Sequence, residues 1–181
     1  MKSFYILVTI ASLFFLSCSS SKSSATAEEM AALDAIIKNK SFEIESSWAY
    51  PQNSTATQQV LNSGLLGPGG SSSAINLIGN SNFLRISGDS ITSYLPYYGE
   101  RQMQVNYGGG DSAIQFDGLL EDYRVIKNKN DSYTLSFRAK SKSEDFNCNI
   151  TIFSNLKSNI MLNGASRFSI SYTGNVIRKE D

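Results

Sequence analysis

The chain has no histidine among its 181 residues, and this absence excludes several classes of chemistry. Without an imidazole, neither a Ser-His-Asp triad nor a Cys-His pair can form, and histidine-based metal sites are excluded as well. The carboxylates remain the main candidates for acid–base work. From the sequence we assign no catalytic residue, no metal ligand and no cofactor, and we expect the protein not to be an enzyme.

Cysteine is scarce, with only Cys18 and Cys148 in the chain. Cys18 lies in a leader segment treated below, so we expect no disulfide within the folded domain. Cys148 shares the parity of Phe146, Ile150 and Ile152 in an alternating segment, which predicts a buried position. Since no histidine can activate its thiol, we interpret Cys148 as a core residue.

The chain also lacks an excess of charge and a long apolar run. Its 16 Lys and Arg residues balance 16 Asp and Glu residues, no basic run occurs, and we expect no nucleic-acid partner. The apolar run 4–16 is shorter than the roughly 20 residues of a membrane-spanning helix. With Lys2 before it, this run is typical of a secretory signal peptide, which we assign to residues 1–17.

The segment Phe15-Leu16-Ser17-Cys18 resembles a bacterial lipobox, although Phe15 stands where an aliphatic residue is usual. We expect Cys18 to become the mature N-terminus and to carry acyl chains that anchor it to a membrane, each buried CH₂ contributing about 0.8 kcal/mol. The alternative is an ordinary signal peptide cut nearby, which would leave Cys18 as a free thiol. Residues 18–25 are serine-rich and are predicted to form a flexible tether.

Residues 26–181 are predicted to form a single β-rich domain that opens with one helix. Thr26 and Glu29 have the spacing of a capping box, and apolar residues recur at helical spacing from Met30 to Ile37, which predicts a helix over 27–38. After Lys40 the period changes to two, which predicts a strand over 42–48. Residues 52–73 are polar and glycine-rich, and we interpret them as a mobile loop.

The remainder of the chain alternates between short strand patterns and turn signals. Gly88-Asp89 and residues 128–131 are predicted hairpin turns, Gly164 a turn and Gly174 a bulge. This pattern predicts a mainly antiparallel β-sandwich or partly open barrel. The predicted strands are 74–78, 83–87, a strand around Ile91, 101–107, 114–118, 123–127, 133–140, 146–154, 160–162 and 168–177.

The stretch from Leu95 to Gly99, called the corner below, contains the candidate ligand-binding aromatic residues Tyr97 and Tyr98. Pro96 and Gly99 favour a turn there, and Leu95 shares the parity of a buried face. We expect one of the two tyrosines to pack and the other to reach solvent. Trp48 is the third candidate ligand-binding residue.

A group of acidic residues offers the one alternative with catalysis, a carboxylate-based glycan hydrolase. Asp117, Glu121 and Asp122 lie around Gly118, with Asp111 and Glu100 nearby in sequence. Sequence spacing does not show that any two of them face each other across about 5 to 9 Å, as a glycosidase requires. Acidic residues are also common in turns for structural reasons, and that is the reading we favour.

Several segments resemble the domain-of-unknown-function 4251 family (DUF4251), whose members are envelope lipoproteins of one Gram-negative phylum. They are F-x-I-x-S-x-W over 42–48, "FLRISGDSITSYLPYYGE", "IQFDGLLEDYRV", "YTLSFRAK" and "RFSISYTGNV". The resemblance implies the β-rich fold and an envelope location, and it supplies no catalytic residue. Exported lipoproteins of that phylum often have acidic residues after the cysteine, whereas this chain has serines and Lys22. We therefore expect an outer-membrane anchor facing the periplasm.

Two further expectations depend on this resemblance. Asp89-Ser90-Ile91 and Asp111-Ser112-Ala113 resemble the O-glycosylation pattern of exported proteins in the phylum, so Ser90 and Ser112 are candidate modification sites, with plain turns as the alternative. For function, the first hypothesis is a non-catalytic envelope lipoprotein that binds a partner. The alternative is a carrier of a lipid or another hydrophobic ligand, and the glycan hydrolase is the third.

Overall fold

The structure is a computed structural model, and it describes residues 25–55, 59, 73–100, 113–141 and 144–177. The signal peptide, Cys18, the predicted strand 101–107, Ser112 and most of the predicted loop 52–73 lie outside the described residues. The described start of that loop is bound to the domain, because Gln52 N donates to Ser169 O at 2.9 Å.

One helix and ten strands have bounds within the described residues, and every strand pair is antiparallel. They are α1 (Ala27–Asn39), β1 (Ser41–Pro51), β2 (Ile75–Asn76), β3 (Phe83–Ser87), β4 (Ser90–Tyr94), β5 (Asp117–Leu119), β6 (Glu121–Lys127), β7 (Ser132–Lys140), β8 (Asp145–Phe153), β9 (Lys157–Gly164) and β10 (Ile170–Ile177).

The strands form a single sheet that curls almost into a closed barrel. Their order is β5-β4-β3-β1-β10-β9-β8-β7-β6, with β2 paired to β1 beside β3. An isolated bridge from Phe116, just before β5, to Ser141, just after β7, brings the two ends of the sheet together. The predicted mainly antiparallel β fold with one N-terminal helix is therefore confirmed, in its barrel form.

In the part of the chain that the structure describes, side chains pack the interior of this barrel, because each strand turns alternate residues inward. Phe42, Ile86, Ile150 and Tyr172 are almost fully buried, and the rings of Phe116 and Phe146 meet edge to face at 5.5 Å. Cys148 is buried among them, which confirms its core assignment, and burial raises the pKa of its thiol.

Helix α1 begins where the capping box predicts. Thr26 N donates to Glu29 Oε2 at 2.8 Å, and Glu29 N donates to Thr26 Oγ1 at 3.2 Å. The helix ends before Lys40, whose φ of 47° is left-handed. Its buried residues Leu33, Ile36 and Ile37 join the barrel core, whereas Met30 is only partly buried.

The prediction of a bulge at Gly174 is wrong, because the bulge lies on β1 opposite it. Ser46 pairs with Gly174 and Trp48 pairs with Thr173, so Ser47 in β1 is the extra residue and β10 is regular there. Gly174 is the partner opposite the bulge, and a Cβ on it would collide with the carbonyl oxygen of Glu45. A glycine marks this site because the two backbones approach closely, and the inserted residue lies on the other strand.

Several predicted strands differ from the observed ones, and β1 (Ser41–Pro51) is longer than the predicted 42–48. The prediction 74–78 is reduced to β2 (Ile75–Asn76), and the prediction 114–118 to bridges at Ile114 and Phe116 followed by β5. In contrast, β9 is longer than the predicted 160–162 and includes Gly164, which was predicted as a turn. Its ends are polar and lack a strand signature, but pairing with β8 and β10 on both sides holds them in the sheet.

Candidate functional site

The outward side of strands β7 to β10 and the second half of β1 is mostly uncharged and polar, and we call it the polar face. Two rows of directly paired residues run across it and define it. The first row is Trp48, Thr173, Asn159, Thr151 and Thr134. The second row is Tyr50, Ser171, Met161, Asn149 and Ser136.

A groove of about 600 Å³ lies at one end of this face, and we call it the polar groove. Its lining includes Ser47, Ser158, Asn159, Thr173 and Asn175. The bulged residue Ser47 and the side-chain-free Gly174 opposite it both line the groove. Because bulges bend a strand, the groove lies where the sheet changes curvature.

Beneath the polar groove, on the inner side of β9, lies a buried hydroxyl without a protein partner among the described residues. Ser158 is buried, and its Oγ makes no hydrogen bond to any residue that the structure describes. Its position alternates with the outward Lys157 and Asn159 and shares the parity of the buried Ile160 and Leu162, so this oxygen belongs to the inner side of the sheet.

A second groove of about 280 Å³ lies on the same face between β6, β7 and β8. Ser136 Oγ donates to Asn149 Oδ1 at 2.8 Å in its lining, and Arg138 Nε donates to Asp122 Oδ2 at 2.8 Å. This groove has more charge than the polar groove, and two of its charged residues, Asp122 and Arg138, are paired with each other.

The carboxylates considered for glycan hydrolysis lie on the barrel surface. Glu121 forms ion pairs with Arg138 at 3.4 Å and with Lys140 at 3.1 Å, and the pairing raises the pKa of Lys140. Asp122 is bound to Arg138, and Asp117 is exposed on β5. Glu100 Oε1 accepts hydrogen bonds from Ser54 N and Oγ at 2.9 and 2.8 Å. Asp111 lies outside the described residues.

The corner closes the end of the barrel away from α1 around a buried ion pair that the sequence did not indicate. Arg167 Nε and a Glu144 carboxylate oxygen form the pair, and both side chains are at most 4% exposed. The Arg167 guanidinium lies 5.0 Å from the centroid of the Tyr97 ring. Tyr97 OH donates to Glu100 O at 2.7 Å and lies 3.0 Å from Phe168 O.

These contacts give the corner an architectural role and separate the three candidate ligand-binding aromatics. Tyr97 is buried and Tyr98 is 43% exposed, as expected of the pair, and Leu95 is fully buried. Trp48 pairs with Thr173, whereas Tyr97 contacts Phe168. Phe168 and Thr173 are five residues apart, which corresponds to about 17 Å along an extended strand. Trp48 therefore belongs to the polar face rather than to the corner.

The remaining candidate positions are only partly described. Ser90 is exposed at the start of β4, next to Asp89, which pairs with Lys40 at 2.8 Å, and its O-glycosylation stays a prediction. In the described ranges no three His, Cys, Asp or Glu residues are grouped closely enough to hold a metal ion. None of the described helical residues forms a helix with the length and apolar character needed to cross a membrane.

Sequence reasoning missed the polar face because it used alternation only to find the core. The signal is visible in hindsight: Asn147, Asn149 and Thr151 alternate with the buried residues of β8. Most of these outward positions have neutral side chains, whereas the exposed face of a sheet usually has many charged ones.

Comparison with known proteins places this fold. No curated protein matches the chain. A similar solved structure is the crystal structure of a DUF4251 family protein from Bacteroides eggerthii DSM 20697, with a TM-score of 0.55 and 14% identity over 85% of this chain and 90% of that chain. At this identity the likeness is evidence for the fold alone. The family model for DUF4251, a domain of unknown function, matches residues 24–176, and the chain belongs to that family.

Proposed function

We propose that this protein is a non-catalytic lipoprotein of the cell envelope that binds its partner on the polar face. The observation that carries the proposal is the contrast between the inward side chains of the described strands, which are buried against one another, and a polar groove of about 600 Å³ outside the barrel. A protein that binds inside its barrel needs space there, whereas one that binds outside can fill its interior.

The filled interior counts against the alternative of a hydrophobic-ligand carrier. Such a carrier needs an apolar cavity of at least about 300 Å³. The residues that point inward, including Ile44, Leu84, Leu162 and Tyr172, are fully buried against one another. The groove on the outside is lined mainly by amides and hydroxyls, which suit a polar ligand better than a lipid.

The positions of the carboxylates support a non-catalytic role. A glycosidase holds two carboxylates across the bond that it cleaves. Here Glu121 and Asp122 are paired with Arg138 and Lys140 on the surface, and the buried Glu144 is paired with Arg167. None of these acids lines the polar groove.

The tether length fits attachment close to a membrane. Helix α1 begins at Ala27, nine residues after Cys18, and an extended segment of that length spans about 30 Å. Acyl chains on Cys18 would therefore keep the barrel within a few nanometres of the bilayer and leave it free to rotate.

The anchor is tested by metabolic labelling with an alkyne fatty acid in the native host. The expected result is that the wild-type protein incorporates the label and fractionates with the outer membrane. The Cys18→Ser variant should remain unlabelled and lose its membrane association, and Cys148→Ser is the matched control that should keep both. A wild-type protein without label would overturn the lipoprotein proposal.

A further inference from the structure

The chemistry of the polar groove restricts what it can bind. Small-molecule pockets are usually lined by apolar and aromatic side chains, and the centres of protein interfaces are depleted in serine. The polar groove instead presents Ser47, Asn159, Thr173 and Asn175. Amides and hydroxyls both donate and accept hydrogen bonds, so their natural partner is a ligand that also does both.

The charge of the groove points to an uncharged ligand. Among its described lining residues Lys157 is the only charged one, and no carboxylate is present. A polyanion could form an ion pair only with Lys157 in this lining, and a cationic ligand could form none. A neutral ligand with many hydroxyl groups fits this lining.

Two partly exposed aromatic side chains border these polar groups. Phe153 lines the groove, and Trp48 lies directly opposite Thr173 on the neighbouring strand. Both are 36% exposed. An aromatic ring can pack on a small apolar surface while the neighbouring polar groups remain hydrated. The C–H face of a sugar ring is a surface of that kind.

The face continues beyond the groove in the direction of the strand pairing. From Trp48 and Tyr50 on β1, the two rows cross β10, β9 and β8 and reach Thr134 and Ser136 on β7, where the second groove begins. Apart from Met161, the side chains between these ends carry hydroxyls or amides. Four strand spacings separate β1 from β7, which is about 19 Å. A surface of this length accommodates several linked sugar units.

We propose that the polar face binds a neutral polysaccharide chain, with the polar groove as its main subsite. Asn159, Thr173 and Asn175 would exchange hydrogen bonds with sugar hydroxyls, and Trp48 and Phe153 would pack on sugar rings. This inference rests on the proposed function, since it names the partner of the same surface.

The test is affinity electrophoresis of the full chain in non-ionic detergent through gels that contain a glucan, a mannan, a galactan or a xylan, with a polygalacturonate gel as the charged comparison. At least one neutral polysaccharide should slow the wild-type protein, and the retardation should persist at high salt. In the double variant Asn159→Ala and Thr173→Val the affinity should fall by about tenfold, because two hydrogen-bonding groups are lost.

The matched control is Thr92→Val, which makes the same change on the outward side of β4, away from the groove. It should bind as the wild type does. If the double variant fails to fold by circular dichroism, Asn175→Ala at an exposed position of the same groove repeats the test and should also weaken binding.

The proposal is overturned if none of the four polysaccharides slows the protein, or if the groove variants bind like wild type. It is equally overturned if binding is confined to polygalacturonate, is lost at high salt and is abolished by Lys157→Gln. If this test fails but Cys18 incorporates the fatty-acid label, the polysaccharide proposal is wrong and the envelope lipoprotein proposal stands.

Discussion

At the scale of single residues, Gly174 is where the packing of two strands requires the absence of a side chain. A Cβ on Gly174 would lie 2.7 Å from the Cα of Ser46 and closer still to the carbonyl oxygen of Glu45. These are backbone atoms held in the sheet by the pairing of β1 with β10, so they cannot turn away as a side chain could.

We therefore predict that Gly174→Ala lowers the free energy of unfolding by about 3 kcal/mol, the upper end of the usual cost of overpacking. Gly118→Ala is the control, because nothing lies within 4 Å of its added Cβ. Urea denaturation followed by circular dichroism measures both. Equal stability of the two variants would show that β1 can shift at the bulge without cost.

The corner shows what a sequence cannot reveal about individual residues. Proline and glycine predicted the turn, and residue parity predicted that Leu95 is buried. The ion pair of Arg167 and Glu144 under Tyr97 joins three positions that are far apart in the chain and carry no local signature. Removing either partner alone would strand a buried charge, so the pair acts as one structural unit.

At the scale of elements, an exposed hydrogen-bond network adds to the attachment of α1 that its buried residues provide. Tyr133 OH donates to Asp34 Oδ1 at 2.7 Å, and Lys127 Nζ lies 3.3 Å from the same oxygen. The hydrogen bond from Tyr133, aided by Lys127, lowers the pKa of Asp34 below its ordinary value of 3.8. The network joins the helix to the hairpin of β6 and β7.

A group with a lowered folded pKa adds stability above its unfolded pKa and loses it as the pH falls through the folded value. Asp34→Asn should therefore be less stable than wild type at pH 7, and the difference should shrink as the pH falls below about 4. Denaturation midpoints across this range measure it. A difference that stays constant at low pH would mean that the Asp34 charge plays no part.

Elements with a local signal were predictable, and those held by neighbours were not. The capping box located the start of α1, and Gly88-Asp89 located a hairpin, because both signals lie within a few residues. The strand β9 was underestimated, since Lys157, Ser158 and Asn163 have weak strand propensity and adopt it only between β8 and β10.

At the scale of the whole molecule, alternation predicted a mainly antiparallel β domain but not how far the sheet closes. Closure depends on the bridge from Phe116 to Ser141 and on pairing between β1 and β10, the first and last strands of the domain. Such long-range pairings have no pattern in one sequence. The polar face has the same origin, because strands that are distant in sequence assemble its rows.

A barrel whose described inward side chains are buried against one another should protect its interior thiol, and this distinguishes the outward-binding protein from a hydrophobic-ligand carrier. In the Cys18→Ser background Cys148 is the remaining thiol, and it is buried with a raised pKa, so both access and thiolate formation are suppressed. Its reaction with a thiol reagent at pH 8 should be at least about a thousandfold slower than in the unfolded chain, because the barrel must open first.

The modification of Cys148 should rise with denaturant at the same midpoint as the loss of circular dichroism. Adding Thr92→Cys provides an outward thiol in the same protein, and it should react at once. Rapid modification of Cys148 in the native protein would mean that small molecules enter the barrel. The hydrophobic-ligand carrier would then explain the protein better than binding on the polar face does.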